Sequence, residues 1–284
     1  MEDKEDLGLI ADSFQWDFPP DRLMWKEFLF DTRWNEENAW VLDLADRPIG
    51  YARVDETPGL KGVFDLNGFI AAAGQRKGHG TILLNFITDV LKARGARRLH
   101  HATVSQRSAA YMFLTARGFH VEHIEISMEL QQTGLHLSDA ELSSEYIVKT
   151  YSKQEAISHF LGLYDDCFDG LPWYQPYDLT EVASELLYPA DLLFLHKLQA
   201  PIGFCWIHHN RPEEGEIEPI GLLPQFQGRG LGALLLKSGL NRLRALGVYR
   251  VKIGAWETNL AALNLYRKIG FQNIMTKTYL AIDL

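Results

Sequence analysis

Two cysteines in 284 residues, Cys167 and Cys205, leave no material for a disulfide framework. There is no CxxC pair and no pair of histidines at ligand spacing, so no metal site is expected. The adjacent pairs His100-His101 and His208-His209 would point to opposite faces of a strand. Long apolar runs are missing as well, and the acidic start Met1-Glu2-Asp3-Lys4-Glu5-Asp6 does not read as a secretory leader. Neither membrane crossing nor export is expected, and a cytoplasmic location follows. Basic charge is scarce: 28 Lys and Arg stand against 37 Asp and Glu, a formal net charge of −9. Nucleic acid and anionic membrane surfaces both require a basic face, so neither is an expected partner. A neutral or cationic partner is compatible with this balance.

What the chain does have is length and repetition. Its 284 residues suit two domains of roughly 140 residues each. Gln227-Gly228-Arg229-Gly230-Leu231-Gly232 precedes an apolar-periodic run, Ala233 to Leu246. Gln75-Arg76-Lys77-Gly78-His79-Gly80 precedes a similar run, Ile82 to Leu91. A shift of 152 positions carries Gly78 to Gly230, Gly80 to Gly232, Gly95 to Gly247, Arg98 to Arg250 and Ala110 to Ala262. The same shift carries Gly118-Phe119 to Gly270-Phe271, and Pro48-Ile49-Gly50-Tyr51 matches Pro201-Ile202-Gly203-Phe204 with one residue inserted. An ordered series of this kind marks a duplication.

Both copies read alike. Strands are expected at Ala39 to Leu44, Ile49 to Val54 and Val63 to Ile70, and again at Leu192 to Leu198, Ile202 to His208 and Glu216 to Leu223. Then come the Gly-rich turn, a helix ending at Gly95 or Gly247, and a strand at Arg98 to Val104 or Tyr249 to Ala255. A second helix ends at Gly118 or Gly270, where glycine suits a left-handed C-terminal position. The closing strands are His120 to Leu130 and Gln272 to Ile282. The first copy opens with a helical pattern around Leu7 to Phe14; the second opens with a strand, Glu145 to Thr150, and a helix, Lys153 to Cys167. Gln131 to Ser144 is polar and reads as a linker, giving expected domains 1–135 and 144–284. The fold class is α+β, each domain a mixed, mostly antiparallel sheet flanked by helices.

Closely spaced glycines at a helix start remove Cβ atoms and let several backbone N–H groups face one anion, and the helix dipole adds to this. Gln227 through Ala233 has that form, and Arg229 supplies a charge. A turn that merely needs flexible glycines is the plainer alternative. The run Gly228-Arg229-Gly230-Leu231-Gly232-Ala233 also fits GxGxxA, but about 50 residues follow it, too few to complete a doubly wound dinucleotide sheet. No Gly-Lys-Ser/Thr follows, which excludes a Walker phosphate loop.

Gln227-Gly228-Arg229-Gly230-Leu231-Gly232 resembles the Q/R-x-x-G-x-G/A signature of the GNAT superfamily of acyl-CoA-dependent N-acetyltransferases. Asn259 to Phe271 is similar to that family's N-x-x-A-x-x-L-Y-x-x-x-G-F signature, in the right order and spacing. The first half resembles the same family more distantly, and the tandem layout is similar to that of the mycothiol synthases. The resemblance implies acetyl-CoA as co-substrate, with Gln227, Gly228, Arg229, Gly230, Leu231, Gly232 and Ala233 around its pyrophosphate. It implies a pantetheine arm paired with the backbone of Ile220, Gly221 and Leu222. Asn259, Ala262 and Tyr266 share one helix face, and the resemblance implies contact of all three with the arm, with Tyr266 protonating the leaving thiolate. Packing of the Tyr266 ring is the structural alternative.

An acceptor amine must lose a proton to attack a thioester. Glu216 and Glu218 alternate along one strand and are expected to face inward together, as general base, with Glu216 the first choice and Glu218 the second, or as a cation-binding pair. Strand-end salt bridging is the alternative reading. In the first copy Leu114 stands for Tyr266, Arg107 for Asn259 and Phe64 for Glu216, so that copy is expected to be degenerate, structural or CoA-holding without turnover. The expected function is acetyl transfer to an amine of a small molecule or peptide, against a non-catalytic CoA-binding sensor or scaffold. Asp169 to Tyr177 is a candidate acceptor loop, rich in aromatics that could equally be core. Acceptor identity and oligomeric state are not specified by these patterns.

Overall fold

The computed structural model describes residues 37–45, 47–131, 145–172 and 174–284. The expected helix around Leu7 to Phe14, most of the linker, and Trp173 of the acceptor loop lie outside the described residues. The first copy forms β1 (Ala39–Asp43), β2 (Pro48–Glu56), β3 (Val63–Ile70), α1 (His79–Ala93), β4 (Arg98–Thr103), α2 (Ala109–Thr115) and β5 (His120–Gln131). The second forms β6 (Tyr146–Lys149), α3 (Lys153–Phe168), α4 (Leu179–Glu185), β7 (Leu192–Lys197), β8 (Ala200–Arg211), β9 (Glu214–Leu222), α5 (Leu231–Ala245), β10 (Arg250–Trp256), α6 (Leu260–Ile269) and β11 (Gln272–Asp283). Strand and helix positions follow the sequence pattern to within a few residues. The strand expected from Glu216 begins at Glu214, because Arg211 and Glu214 already pair across the β8–β9 hairpin.

The chain forms two compact units, Met1–Ile124 with Lys277–Leu284, and Glu125–Thr276. In the first unit β1, β2 and β3 pair antiparallel, β3 and β4 parallel, and β4 pairs antiparallel with Thr278–Asp283 of β11. Leu83, Leu84, Ile87 and Leu91 of α1 bury one helical stripe against Val54, Leu66, Leu99 and, from β11, Leu280. In the second unit the order is β5-β10-β9-β8-β7-β6, with β9 and β10 parallel and the rest antiparallel. The strand that closes each unit is therefore supplied by the other repeat: Glu125–Gln131 of β5 pairs with β10, and the end of β11 pairs with β4.

Strand alternation in the second unit serves two cores. Leu193 and Leu195 of β7, with Cys205 and Ile207 of β8, pack beneath Leu235, Leu236, Leu240 and Leu243 of α5. Leu192, Phe194, Phe204 and Trp206 point the other way, beneath Ile157, Phe160, Leu163 and Tyr164 of α3. The sheet is thus buried on both faces. α3 starts on a capping box in which Ser152 and Glu155 satisfy each other's backbone N–H groups.

Leu280 lies in the second repeat by sequence but in the first unit's core. Leu280→Ala should cost about 2–5 kcal/mol, the range for a buried leucine truncation. Hydrogen exchange should then lose protection in β4 and α1 while α5 stays protected.

Candidate active site

The Gly-rich segment leaves β9 through a 3₁₀ turn, Pro224–Phe226, and enters α5 at Gly230, the N-cap. Gly228 and Gly230 both adopt left-handed backbone, φ 74° and 81°, and a Cβ built on either would meet nothing within 4 Å. The glycines therefore answer to backbone conformation and to open space above the helix start, where the first N–H groups of α5 lack intrahelical partners. The loop is closed from beneath by Gln227, whose side-chain amide donates to the Leu222 carbonyl at 2.9 Å.

The first repeat builds the same loop. Gln75 donates to the Ile70 carbonyl at 2.9 Å, Gly78 caps α1 at φ 88°, and Arg76 takes the left-handed place of Gly228 at φ 60°. Backbone geometry is thus retained where one glycine has been lost.

Beside the second loop the sheet opens. β9 and β10 pair only at Glu214 to Glu216 against Arg250 to Lys252, while β9 goes on pairing with β8 as far as Leu222. From Ile217 onward β9 has no strand partner on its β10 side among the described residues. Backbone groups on that edge can be satisfied by water or by an extended ligand that adds on as a strand does. Ile220, Gly221 and Leu222 lie on it. A Cβ at Gly221 would fall 2.7 Å from the Phe204 ring.

Tyr266 on α6 is 4% exposed and packs in the α5-side core with Phe271, ring centroids 6.0 Å apart. Burial, and then Glu218 and Cys205, hold its hydroxyl well above the usual tyrosine pKa. Asn259 is the N-cap of α6, and its Oδ1 accepts from the Ala262 N–H at 3.2 Å. Ala262 and Tyr266 follow on the same half-buried to buried face.

The expectation that Glu216 and Glu218 face inward is corrected. Both are exposed, and Ile217 between them takes the core face beneath α5. Alternation puts the two carboxylates on one side, but that side is the α3 face, open here to solvent. Their surroundings differ. Glu216 stands across from Lys252 on β10 and His208 on β8. Glu218 acts electrostatically on Tyr266, Tyr164 and Tyr177 together, and its carbonyl is 2.7 Å from His208 Nε2. Sequence reasoning missed the tyrosines of α3 and the following loop as neighbours of Glu218. The aromatic run Asp169 to Tyr177 was the available signal for one of them.

In the first unit the corresponding strands also part, after Asp65 and His100. There, however, His101 Nδ1 reaches the Leu66 carbonyl at 2.9 Å, at the position matching Glu218. Phe69 stands where the second copy has Gly221, beside the buried Tyr51 at 5.9 Å. Arg53 donates through Nε and Nη2 to a single oxygen of Asp55, at 2.9 and 2.6 Å, where the second copy has Trp206 and His208. Leu114, in the place of Tyr266, is buried but has no hydroxyl.

A family model described as Acetyltransferase (GNAT) family matches residues 8–119 and again 158–271. Among curated proteins the chain is similar to a mycothiol acetyltransferase of Nocardia farcinica, 29% identical over 71% of this chain and 69% of the relative. It is likewise similar to one of Thermomonospora curvata, 27% identical over 81% and 78%. Among solved structures, a GCN5-related N-acetyltransferase from Sphaerobacter thermophilus superposes with a TM-score of 0.73 at 17% identity, over 91% of this chain and 85% of the other. A tandem GNAT protein from the clavulanic acid biosynthesis pathway does so with a TM-score of 0.63 at 15% identity, over 99% and 93%.

The loop geometry predicts an asymmetry between two glycines. Gly230→Val puts a β-branched side chain on a left-handed helix cap and should cost about 1–2 kcal/mol in chemical denaturation. Gly228→Arg, which reproduces the Arg76 arrangement, should cost less than about 1 kcal/mol, the usual penalty for an L side chain there.

Proposed function

The chain belongs to the acetyltransferase (GNAT) family, and from that premise we propose that its second unit transfers an acetyl group from acetyl-CoA to an amine. The observation that carries this reading is the parting of β9 from β10 directly beside the left-handed glycine loop, with Tyr266 and Glu218 coupled at the gap. The amides from Gln227 to Ala233, with Arg229 beside them, would hold the pyrophosphate at the α5 N-terminus. The free edge at Ile220 to Leu222 would pair with the amides of the pantetheine arm, and Ala262 leaves room beside it. Asn259 is already committed through Oδ1 to capping α6, which leaves its side-chain N–H groups for the arm.

Acetyl-CoA brings the activated acyl group as a thioester. Direct attack by the amine in a ternary complex forms the carbon–nitrogen bond and breaks the carbon–sulfur bond. The amine's proton goes to Glu218, directly or through water, and the departing sulfur takes a proton from Tyr266. Of the two carboxylates we choose Glu218 as base, because it is the one coupled to Tyr266, and leave Glu216 to the acceptor's charge. A tyrosine held above its ordinary value near 10 stays protonated at neutral pH and can donate to a thiolate whose conjugate acid lies near 8.5. We read the first unit as structural, since the His101 ring takes up the Leu66 carbonyl on the parted strand and Leu114 offers no acid in the place of Tyr266.

Tyr266→Phe keeps the packed ring and removes the proton. It should lower the single-turnover rate by roughly 10²-fold with acetyl-CoA affinity nearly unchanged. A wild-type chemical step in that variant would overturn the assignment. The sign of the pKa displacement gives a second check: raised by burial, Tyr266 remains an acid as pH climbs, so the wild-type rate should show no alkaline loss below about pH 10.

A further inference from the structure

The β8–β9 ladder slips beside the opening. Cys205 faces Ile220 and Ile207 faces Ile217, so Glu218 and Pro219 together oppose Trp206 alone. This is a bulge, which bends a strand and re-aims the residues it contains. It begins two residues beyond Glu216, where β9 stops pairing with β10. The matching ladder of the first copy has none: β2 and β3 run from Gly50 against Ile70 to Glu56 against Phe64 without a shift. A bulge takes backbone groups out of the ladder, and one of them has found a side chain. His208 Nε2 stands 2.7 Å from the Glu218 carbonyl oxygen. A carbonyl only accepts, so Nε2 carries the hydrogen, in a neutral ring as in a protonated one. The ring itself is held. It stacks on Trp206 with centroids 5.2 Å and planes 26° apart, and the buried Trp206 packs edge to face on Phe160 at 5.1 Å. In the first copy the equivalent carbonyl, of Leu66, is taken by His101 of β4, and Asp55 in the place of His208 is engaged by Arg53. The repeats thus hold one carbonyl from opposite neighbours: across the parting of the strands in the first, away from it in the second.

Resting on the acetyl-transfer reading, we infer that His208 is a positioning residue for that reaction. By tethering the Glu218 backbone to β8, it sets where the Glu218 carboxylate stands and keeps the carbonyl out of the opening that the acyl donor enters. The ring takes no proton from the acceptor, because its part is played by Nε2–H, which is present in either protonation state. Losing the tether lets the bulge shift, and a small displacement of the base lowers the rate of the chemical step. Affinity for the acyl donor is spared, since the glycine loop and the Gln227 clamp beneath it are held by their own contacts.

Two substitutions in the full-length protein separate this role from packing and from proton transfer. His208→Leu fills the space beside Trp206 and has no donor. His208→Gln offers an uncharged N–H at similar reach and no basic lone pair. The readout is single-turnover thiol release from acetyl-CoA, with whichever of ethanolamine, phenethylamine and lysine amide the wild type uses fastest. The rate should fall roughly tenfold in His208→Leu and return to within about threefold of wild type in His208→Gln. Acetyl-CoA affinity by calorimetry should stay within about twofold in both. The pH–rate profiles of wild type and His208→Gln should share one shape between about pH 5 and 8, the range in which a proton-accepting histidine would mark the first and not the second. A His208→Leu enzyme with the wild-type rate and only a lower urea midpoint reduces the ring to packing and overturns the inference. So does His208→Gln as slow as His208→Leu, or a changed profile, since the lone pair then matters. Ring-nitrogen NMR of the wild type decides the tether without either variant: hydrogen on Nε2 is expected, and a ring carrying it on Nδ1 alone overturns the inference. Thiol release with none of the three amines removes the acetyl-transfer reading and the positioning role together, whereas every other adverse result removes the positioning role and leaves that reading standing.

Discussion

Everything in the second unit follows from two parallel strands that stop pairing after three residues. A parallel ladder holds its register through evenly spaced, slanted hydrogen bonds, and ending it in the middle of a sheet exposes backbone donors and acceptors that must find other partners. Here β9 keeps its bonds to β8 and β10 keeps its bonds to β5, so the sheet survives the opening. Both faces are buried under separate cores, α5 on one side and α3 on the other, and those cores hold the opening at a fixed place. Tyr266 belongs to the first core and Glu218 to the opposite face, yet they act on each other electrostatically.

The two repeats show that backbone and chemistry can diverge at different rates. The glutamine clamp under the loop is the same to within a tenth of an ångström, and a left-handed residue follows it in both. What changed is what fills the space. One histidine ring on a β3 carbonyl, one phenylalanine in place of a glycine, and one arginine–aspartate pair occupy the region that the second unit leaves for aromatic rings and carboxylates. Of these, the histidine takes up a carbonyl that the parted strands would otherwise leave to a ligand.

Much of this was legible in the sequence. The repeat, the spans of α1 and α5, and the shared face of Asn259, Ala262 and Tyr266 follow from glycine positions and helical spacing, which are local. The direction in which Glu216 and Glu218 face was not, because a two-residue period says which side chains agree and not which face is covered. That was decided by Ile217 packing under α5. The capping role of Asn259 depends on where the helix begins, and element boundaries are the least determined feature of a pattern. In the first repeat the helix begins one residue later in register, with Ser108 as its cap. Which strands β5 and β11 would join was also beyond local pattern, since an alternating run marks a strand without naming its neighbours.

The destination of those two strands bears on how such a chain can change. Met128 and Leu130 are built by the first repeat and lie in the core of the second unit; Leu280 is built by the second and lies in the core of the first. The arrangement is that of a strand-swapped dimer joined end to end. Once joined, a copy can shed every reacting group and still be indispensable, because its partner has no edge without it. Selection on one repeat for catalysis is then selection on the other for shape, and neither half is a module that recombination could carry away alone.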